Sequence, residues 1–427
     1  LISCLPTMDS CRHTNRLQGI PGQVWSGDIL PTGCIFHPRC SYSSDLCSTQ
    51  PSFQEKDGHG VRCWHWKELD IKKTFNPLKS SGKIPDLSDK TATLLKVENL
   101  KTFYKERSAS MFKKDSASYV KAVNQVSFEV EKGGIVGIVG ESGCGKSSLA
   151  KSIAGLEEPT AGIIELSGLD IAQRVESRNI TTLQKLNMIF QNPDSSLNPT
   201  KTVGQSLRRA LKLNKALVGK KKQEAELERL MEAIRIDKSY LERKPWQLSG
   251  GEKQRIAIAR ALASHPELLI CDEPVSALDV SVQCSVINTL LDIRNRYGTS
   301  LLFISHDLAV VRYFCDQIIV MYLGKICEQS QASEITKPPY HPYTEALLSA
   351  APITDLKIKQ KRIHLEGTPP SPSNPPKGCF FHTRCHRKNG KACSQELPPL
   401  QISKSGKKIF CHRPLEILES FEPILNN

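Results

Sequence analysis

Between an apolar run at 134–139 and a helical pattern at 146–154, the chain reads Gly140-Glu141-Ser142-Gly143-Cys144-Gly145-Lys146-Ser147. In this spacing, G-x-x-x-x-G-K-S, glycines let successive backbone N–H groups turn toward a polyphosphate. Lys146 can reach the terminal phosphates, Ser147 can coordinate Mg²⁺, and the helix start adds its positive dipole. The pattern predicts a site for a nucleoside triphosphate, lined by Gly140, Ser142, Gly143, Cys144, Gly145, Lys146, Ser147 and Ser148.

The segments around this loop alternate between strand and helix patterns. A β-rich start at 95–97 and 121–130 precedes the loop, and a charged, mostly helical insertion follows at 202–241. The later pattern is regular: helix 250–264, strand 268–271, helix 280–297 and strand 300–304. Strands that alternate with helices predict an α/β fold around a largely parallel sheet.

Two carboxylates follow the apolar run 268–271. Asp272 is placed to hold Mg²⁺ through its water shell, and Glu273 can orient or polarise the water that attacks the terminal phosphate. Alone, an apolar strand that ends in Asp-Glu is more often an ordinary strand with a solvated end. Together with the phosphate-binding loop, the pair favours catalysis of phosphoryl transfer.

A second anion site is predicted at Ser249-Gly250-Gly251-Glu252, which opens the helix 250–264. Its hydroxyl and backbone amides can cap a phosphate at a helix start. This stretch resembles the signature motif of ATP-binding-cassette (ABC) ATPases. The resemblance implies that the motif contacts ATP held by an opposite domain, so that hydrolysis needs a head-to-tail pair of domains.

Further motifs of that family occur in the same order. Tyr104 lies where an aromatic side chain usually stacks on adenine, although a strand aromatic is as often part of the core. Gln191 matches the glutamine that touches Mg²⁺ and water, and Asp279 ends a loop that links the two ATP sites. His306 matches the switch histidine on the γ-phosphate. The resemblance therefore implies Glu273, His306 and Gln191 as the catalytic residues and Ser147, Gln191 and Asp272 as the ligands of Mg²⁺.

The flanking sequences are similar to the peptide and nickel importer ATPases of the oligopeptide/dipeptide type. The similarity rests on 193–199, on 271–281 and on 339–348, the last of which resembles their C-terminal extension. We expect an ATPase domain at 93–330 and the extension at 331–427. Residues 1–71 resemble the extension of a preceding ATPase domain and 72–92 read as a linker, so we expect a fragment of a tandem two-ATPase protein.

The flanks also contain a repeat. Gly33-Cys-Ile-Phe-His-Pro-Arg-Cys40 recurs as Gly378-Cys-Phe-Phe-His-Thr-Arg-Cys385. We call residues 33–63 the N-terminal cysteine module and residues 378–411 the C-terminal cysteine module; both are expected to be small and loop-rich. Their predicted metal ligands are Cys34, Cys40, Cys47 and Cys63, and Cys379, Cys385, Cys393 and Cys411. Four thiolates suit a [4Fe–4S] cluster or zinc. The resemblance to importers favours iron–sulfur, and free or disulfide-bonded cysteines are the remaining alternative.

Composition limits the function classes. With 39% hydrophobic and 24% charged residues the chain is an ordinary globular protein, and its apolar runs are too short to cross a bilayer. The net charge of +14 predicts attraction to something anionic: nucleotide, nucleic acid or acidic lipid.

The resemblance implies an ATP-hydrolysing subunit that energises import of peptides, nickel or related solutes. Its partners would be a second ABC domain, two integral-membrane permease subunits and, indirectly, a solute-binding protein, at the cytoplasmic face of the plasma membrane and without nucleic acid. The alternative is a soluble ABC ATPase with iron–sulfur modules that acts on ribosomes or nucleic acid.

Overall fold

The computed structural model describes residues 4, 6, 12, 16–17, 19–20, 32–56, 58–68, 92–106, 118–214, 217–276, 278–352 and 360–424. The predicted linker at 72–92 lies outside the described residues, apart from residue 92.

The strands in chain order are β1 (Gln54–Lys56), β2 (His59–Val61), β3 (Thr93–Lys105), β4 (Tyr119–Glu131), β5 (Ile135–Val139), β6 (Ala161–Leu166), β7 (Leu169–Asp170), β8 (Leu186–Ile189), β9 (Leu268–Asp272), β10 (Ser300–Ile304), β11 (Gln317–Tyr322), β12 (Lys325–Gln331), β13 (Leu400–Ile402) and β14 (Lys408–Phe410). The helices are α1 (Lys146–Ala154), α2 (Ile180–Lys185), α3 (Pro193–Ser196), α4 (Val203–Lys212), α5 (Lys220–Ala233), α6 (Gly250–Leu262), α7 (Val280–Tyr297), α8 (Leu308–Phe314), α9 (Pro342–Ala350), α10 (Ala392–Gln395) and α11 (Leu415–Glu419).

The main sheet has the strand order β13-β14-β12-β11-β5-β10-β9-β8. Strands β8, β9, β10, β5 and β11 pair in parallel, which confirms the predicted parallel sheet for this part. Strands β12, β14 and β13 are antiparallel. Strands β14 and β13 lie within the predicted extension, 331–427, and they continue the sheet formed by the predicted ATPase domain, 93–330.

The central strands are buried on both faces, as apolar parallel strands between two layers must be. Every residue of β5, β9 and β10 is buried. Because successive side chains point to opposite faces of a strand, Ile135 and Val139 join one core cluster, whereas Val136 and Ile138 join the other. The buried sheet therefore fixes the positions of the residues that follow its strands.

A smaller antiparallel sheet, in the order β4-β3-β6-β7, forms the predicted β-rich start. Its strands β3 and β4 are longer than the predicted 95–97 and 121–130, since polar residues on the solvent side interrupt the apolar pattern. Helices α4 and α5 confirm the predicted helical insertion. None of the helices among the described residues has the length and apolar character needed to cross a bilayer.

Helix ends follow local capping signals. The Asp279 side chain accepts the N–H groups of Ser281 and Val282 at the start of α7, and Gly298 ends the helix with a positive φ of 67°. Helix α1 ends in the same way at Gly155, with φ 78°. Both helices have the predicted bounds.

Candidate functional site

The phosphate-binding loop connects β5 to α1, as predicted, and its glycines are required by space as well as by conformation. Gly140 has φ 155° and Gly145 has φ 102°. A Cβ atom on Gly140 would lie 2.2 Å from the carbonyl oxygen of Met321, and one on Gly145 would lie 2.0 Å from that of Ala122. Neither position can accept a side chain without a backbone shift.

Lys146, the first residue of α1, is buried against this loop. Its Nζ donates hydrogen bonds to the carbonyl oxygens of Gly140, at 2.7 Å, and Glu141, at 2.9 Å. The ammonium group is therefore held inside the curve of the loop, where the terminal phosphates of a nucleotide would neutralise it.

Ser147 and Asp272 meet beside this lysine. The Ser147 hydroxyl donates to Asp272 Oδ1 at 3.0 Å. Burial raises the pKa of Asp272, while the Ser147 hydrogen bond acts in the opposite direction. A buried carboxylate next to a hydroxyl offers the hard oxygen donors that Mg²⁺ prefers when it is bound together with phosphates, so these residues fit the ion.

The three residues predicted to be catalytic lie together, with Gln191 and His306 both in contact with the Glu273 carboxylate. Gln191 Nε2 donates to Glu273 Oε2 at 3.1 Å, and His306 Nδ1 lies 3.4 Å from the same oxygen. They follow β8, β9 and β10, three neighbouring parallel strands whose carboxyl ends lie at one edge of the sheet. The phosphate-binding loop follows β5, the next strand along, so the two groups share this edge.

Glu273 adopts a left-handed backbone with φ 46°, which is uncommon for a residue other than glycine. Its N–H donates to the carbonyl oxygen of Ile304 at 3.0 Å, a bond that extends the β9–β10 pairing by one step. The strained conformation turns the Glu273 side chain away from the path of the strand and toward Gln191 and His306.

Tyr104 is half-buried on β3 and shares a side-chain hydrogen bond with Ser148 of α1, while burial raises the pKa of its phenol. The predicted aromatic residue is therefore near the phosphate-binding loop, and its stacking on a base stays a prediction.

The predicted signature motif forms an exposed helix start. Ser249 caps α6: its hydroxyl accepts the Glu252 N–H at 3.4 Å, and Glu252 Oε2 accepts the Ser249 N–H at 2.8 Å. Gly251 faces α7, where an added Cβ would lie 2.3 Å from Val282 Cγ1. Among the described residues, no hydrogen bond joins 249–252 to the phosphate-binding loop. Ser249 and Gly250 are exposed and so are available to another molecule, whereas Gly251 is buried.

The structure does not group the predicted ligands of the cysteine modules as metal sites. Among the described residues, which include all eight predicted ligands, no three His, Cys, Asp or Glu side chains come together as ligands of a metal ion. The four thiols of the C-terminal module do influence one another. Burial, and then the neighbouring thiols, raise the pKa of Cys379 to about 11 and of Cys385 to about 12. In the metal-free protein burial therefore favours the protonated thiols, and metal binding by this module stays a prediction. The described cysteines are free rather than disulfide-bonded.

One contact of the phosphate-binding loop was not predicted. Glu141 forms an ion pair with Arg384 at 2.7 Å, and its N–H donates to the Tyr343 hydroxyl at 2.8 Å. Both partners belong to the C-terminal extension. The only sequence signal for this contact is the recurrence of an arginine before the second cysteine of each repeat, Arg39 and Arg384.

Known protein families match both parts of the chain. A family model described as "ABC transporter" matches residues 123–276. A second, described as "Oligopeptide/dipeptide transporter, C-terminal region", matches residues 1–47 and 327–393. The second match therefore covers part of each end of the chain.

Two transport ATP-binding proteins are similar to this chain over almost their whole length. The dipeptide transport ATP-binding protein DppF of Haemophilus influenzae is 41% identical over 318 residues, which cover 74% of this chain and 96% of DppF. The oligopeptide transport ATP-binding protein AppF of Bacillus subtilis is 42% identical, with 75% of this chain and 97% of AppF covered.

Among solved structures, a dimeric ATP-binding cassette in a post-hydrolysis state, bound to ADP and Pi, is 24% identical with a TM-score of 0.50. The structural match covers 56% of this chain and 99% of the cassette protein. This likeness supports the fold alone. The family models and the relatives lead to one conclusion: the chain belongs to the ATP-binding proteins of the oligopeptide/dipeptide family of ABC transporters.

Proposed function

We propose that this ABC ATPase energises the import of peptides, or of nickel or related solutes, through an ABC transporter permease. The observation that carries the catalytic part is the convergence of Gln191 and His306 on Glu273, beside the Ser147–Asp272 pair. The transport part is supported by the names of the relatives, which are dipeptide and oligopeptide transport ATP-binding proteins, and by the match to the C-terminal family model.

The arrangement supports in-line hydrolysis of ATP. A water oxygen bonds to the γ-phosphorus, the bond to the ADP oxygen breaks, and Glu273 accepts the proton that the water loses. Gln191 and His306 orient the Glu273 carboxylate, and Lys146 holds the terminal phosphates. When bound at Ser147, Asp272 and Gln191, Mg²⁺ supplies positive charge to the phosphate oxygens.

The exposed start of α6 supports a head-to-tail pair of ABC domains. Ser249 and the amides of Gly250 and Gly251 would contact the γ-phosphate of ATP bound to the partner domain, and Asp279, which caps the adjacent helix α7, would fix this surface. Tyr104 would stack on adenine at the other side of the pocket. These roles follow from the family resemblance together with the exposure of the motif.

Substitution of Glu273 tests the catalytic part. Glu273→Gln keeps the shape of the side chain but cannot accept a proton, so kcat for ATP hydrolysis should fall about 10²- to 10⁴-fold while ATP still binds. Glu267→Gln is the matched control because Glu267 precedes the same strand at its opposite end. Equal hydrolysis by the Glu273→Gln and control variants would exclude Glu273 as the base.

The phosphate-binding lysine has its own test. Lys146→Ala removes the buried cation that faces the phosphates, so binding of ATP should be lost in equilibrium titration. Unchanged nucleotide affinity would overturn the assignment of the loop.

Copurification tests the partners and location. We expect two integral permease subunits, a second ABC domain and association with the cytoplasmic face of the plasma membrane, with a solute-binding protein acting through the permease. Recovery with ribosomes or RNA instead would support the alternative, a soluble ATPase acting on nucleic acid.

The domain division also belongs to this proposal: 1–71 as a second copy of the extension, 72–92 as a linker, 93–330 as the ATPase and 331–427 as the extension. It is supported by the family model that matches both ends of the chain. Limited proteolysis should cut first within 72–92 and release the ATPase together with its extension. Early cleavage within 93–330 would contradict the division.

The proposal of an iron–sulfur cluster in the cysteine modules rests on the repeated cysteine spacing and on the resemblance to importers. Protein purified without oxygen should be brown, with absorbance at about 400 nm, if the thiols rearrange around iron and sulfide. A colourless preparation that contains zinc would favour zinc, and a colourless, metal-free one would leave the modules as structures of free thiols.

A further inference from the structure

Two side chains of the C-terminal extension contact the phosphate-binding loop, and both contact the same loop residue, Glu141. The Glu141 carboxylate pairs with the Arg384 guanidinium at 2.7 Å, and the Glu141 N–H donates to the Tyr343 hydroxyl at 2.8 Å. The Arg384 side chain is only 9% exposed and Tyr343 is fully buried. Few rotamers are open to either partner, so the position of Glu141 is closely defined.

The two contacts rest on a rigid base. Tyr343 packs against Tyr322 of β11 with ring centroids 4.8 Å apart, and Phe381 lies 5.2 Å from each of these rings. The Arg384 N–H donates to the Phe381 carbonyl oxygen at 3.0 Å, so the turn that carries Arg384 is fixed to this aromatic cluster. Strand β14 adds the same module to the main sheet.

The anchored residue shapes the pocket. The Glu141 N–H points to Tyr343, and the Glu141 carbonyl oxygen accepts Lys146 Nζ at 2.9 Å. The peptide groups on either side of Glu141 are therefore fixed, one from the extension and one from inside the loop. Fixing the first turn of the loop reduces the conformational freedom that nucleotide binding would otherwise remove.

We propose that Arg384 and Tyr343 are positioning residues that hold the phosphate-binding loop in its nucleotide-binding shape, so that the C-terminal extension, which contains both residues, sets the affinity for ATP and ADP. This inference rests on the proposed nucleotide site. The effect should be similar for the two nucleotides because Glu141 belongs to the phosphate-binding loop, which would cradle the phosphates that ATP and ADP share, and not to the catalytic group around Glu273. Uniform binding changes KM and leaves kcat nearly constant.

Two variants test the two contacts with Glu141 separately. Arg384→Met removes the charge, and Tyr343→Phe removes only the hydroxyl acceptor while keeping the packed ring. Titration of the full-length protein with Mg·ATP and Mg·ADP should show affinities reduced about five- to thirtyfold for Arg384→Met and less for Tyr343→Phe, equally for both nucleotides. KM should rise in proportion, with kcat unchanged, and Arg384→Lys should restore part of the affinity.

Arg387→Met is the matched control. Arg387 makes a bidentate ion pair with Glu345, with both distances at 2.6 Å, in the same extension but away from the loop. The Arg387→Met variant should bind Mg·ATP and Mg·ADP with the affinities of the wild type. Equal weakening by Arg387→Met would overturn the proposal, since the effect would then come from loosening of the extension. Wild-type affinity in both Arg384→Met and Tyr343→Phe would overturn it too. Failure of the wild type itself to bind Mg·ATP would instead overturn the nucleotide site.

Discussion

The two cysteine modules make the same turn in different surroundings. In the N-terminal module the Cys34 N–H donates to the Cys47 carbonyl oxygen at 2.9 Å, and in the C-terminal module the Cys379 N–H donates to that of Cys393 at 2.8 Å. Yet the phenylalanine of the repeat is 45% exposed at Phe36 and 1% exposed at Phe381.

The difference lies in what each module packs against. Among the residues that the structure describes, β1 and β2 of the N-terminal module form a sheet of their own, whereas β13 and β14 extend the main sheet. Phe381 fills the space between Tyr322 and Tyr343. The repeated sequence therefore specifies the turn, and the surface beneath it decides how much the module adds to stability.

Paired alanine substitutions should give the largest contrast. Phe381→Ala empties a fully packed site and should lower the free energy of unfolding by about 3–5 kcal/mol. Phe36→Ala removes a half-exposed ring and should change it by less than about 0.5 kcal/mol. Urea unfolding monitored by circular dichroism gives both values. Equal losses would mean that the N-terminal module is packed as tightly as the C-terminal one.

Paired substitutions of the first glycine sharpen the comparison, because the local clash is the same in both modules. A Cβ on Gly33 would lie 2.3 Å from the Cys47 carbonyl oxygen, and one on Gly378 would lie 2.5 Å from that of Cys393. Gly378→Ala should destabilise the ATPase by about 1–3 kcal/mol, since the distorted turn is part of its sheet and core.

Gly33→Ala should distort its own turn without lowering the unfolding midpoint of the ATPase. Hydrogen exchange of the two turns, read beside the midpoint, separates local from global effects. A fall in the ATPase midpoint with Gly33→Ala would show that the N-terminal module also supports the ATPase.

Acid should weaken the C-terminal module. His341 is buried under it, 5.9 Å from the Phe381 ring, and burial together with nearby His386 lowers its pKa from 6.5 to about 3. Below pH 6.5 the unfolded chain binds a proton that the folded chain does not. The free energy of unfolding should therefore fall as the pH drops from 6.5 toward 3, by about 1.4 kcal/mol per pH unit.

His341→Asn is the control, because asparagine can still cap α9 but does not titrate. The Glu328 carboxylate accepts the backbone N–H of His341 at 2.8 Å, and burial raises the pKa of Glu328. Its titration therefore changes the free energy of unfolding in the opposite direction. The difference between the pH profiles of the two proteins isolates the contribution of the histidine. Parallel pH profiles would contradict the prediction.

The smallest effect is expected at Arg39, the counterpart of Arg384. Arg39 donates to the Ser281 hydroxyl at 3.4 Å, at the start of α7 and away from the phosphate-binding loop. Arg39→Met should change the affinity for Mg·ATP by less than about twofold, within the range of ordinary surface substitutions. A larger loss in the same titration would give the two arginines a common role.

Local signals made much of the fold predictable. Asp279 and Gly298 bracket α7, and the glycine-rich turn before Lys146 starts α1, so these helices have their predicted bounds. Glu273 could be predicted because it directly follows an apolar strand, whereas Gln191 and His306 were predicted from the family resemblance. The three lie together because parallel strands bring the positions after their carboxyl ends to one edge.

Long-range pairing was not readable from the chain. Strand β14 pairs with β12, which lies far away in the sequence. The pattern of apolar residues near Ile409 does not indicate that Glu328 is its partner. The contact of Arg384 with Glu141 has the same origin. Cysteine spacing, in turn, predicted proximity but not ligand geometry, because side-chain directions depend on packing.

The pairing of β14 with β12 also limits how this protein can be divided. A chain that ended after α9 would leave β12 with a bare row of N–H and C=O groups, and such a row is a template for strands of other molecules. A minimal, monodisperse ATPase must therefore keep β13 and β14, and size-exclusion chromatography should find the shorter version self-associated.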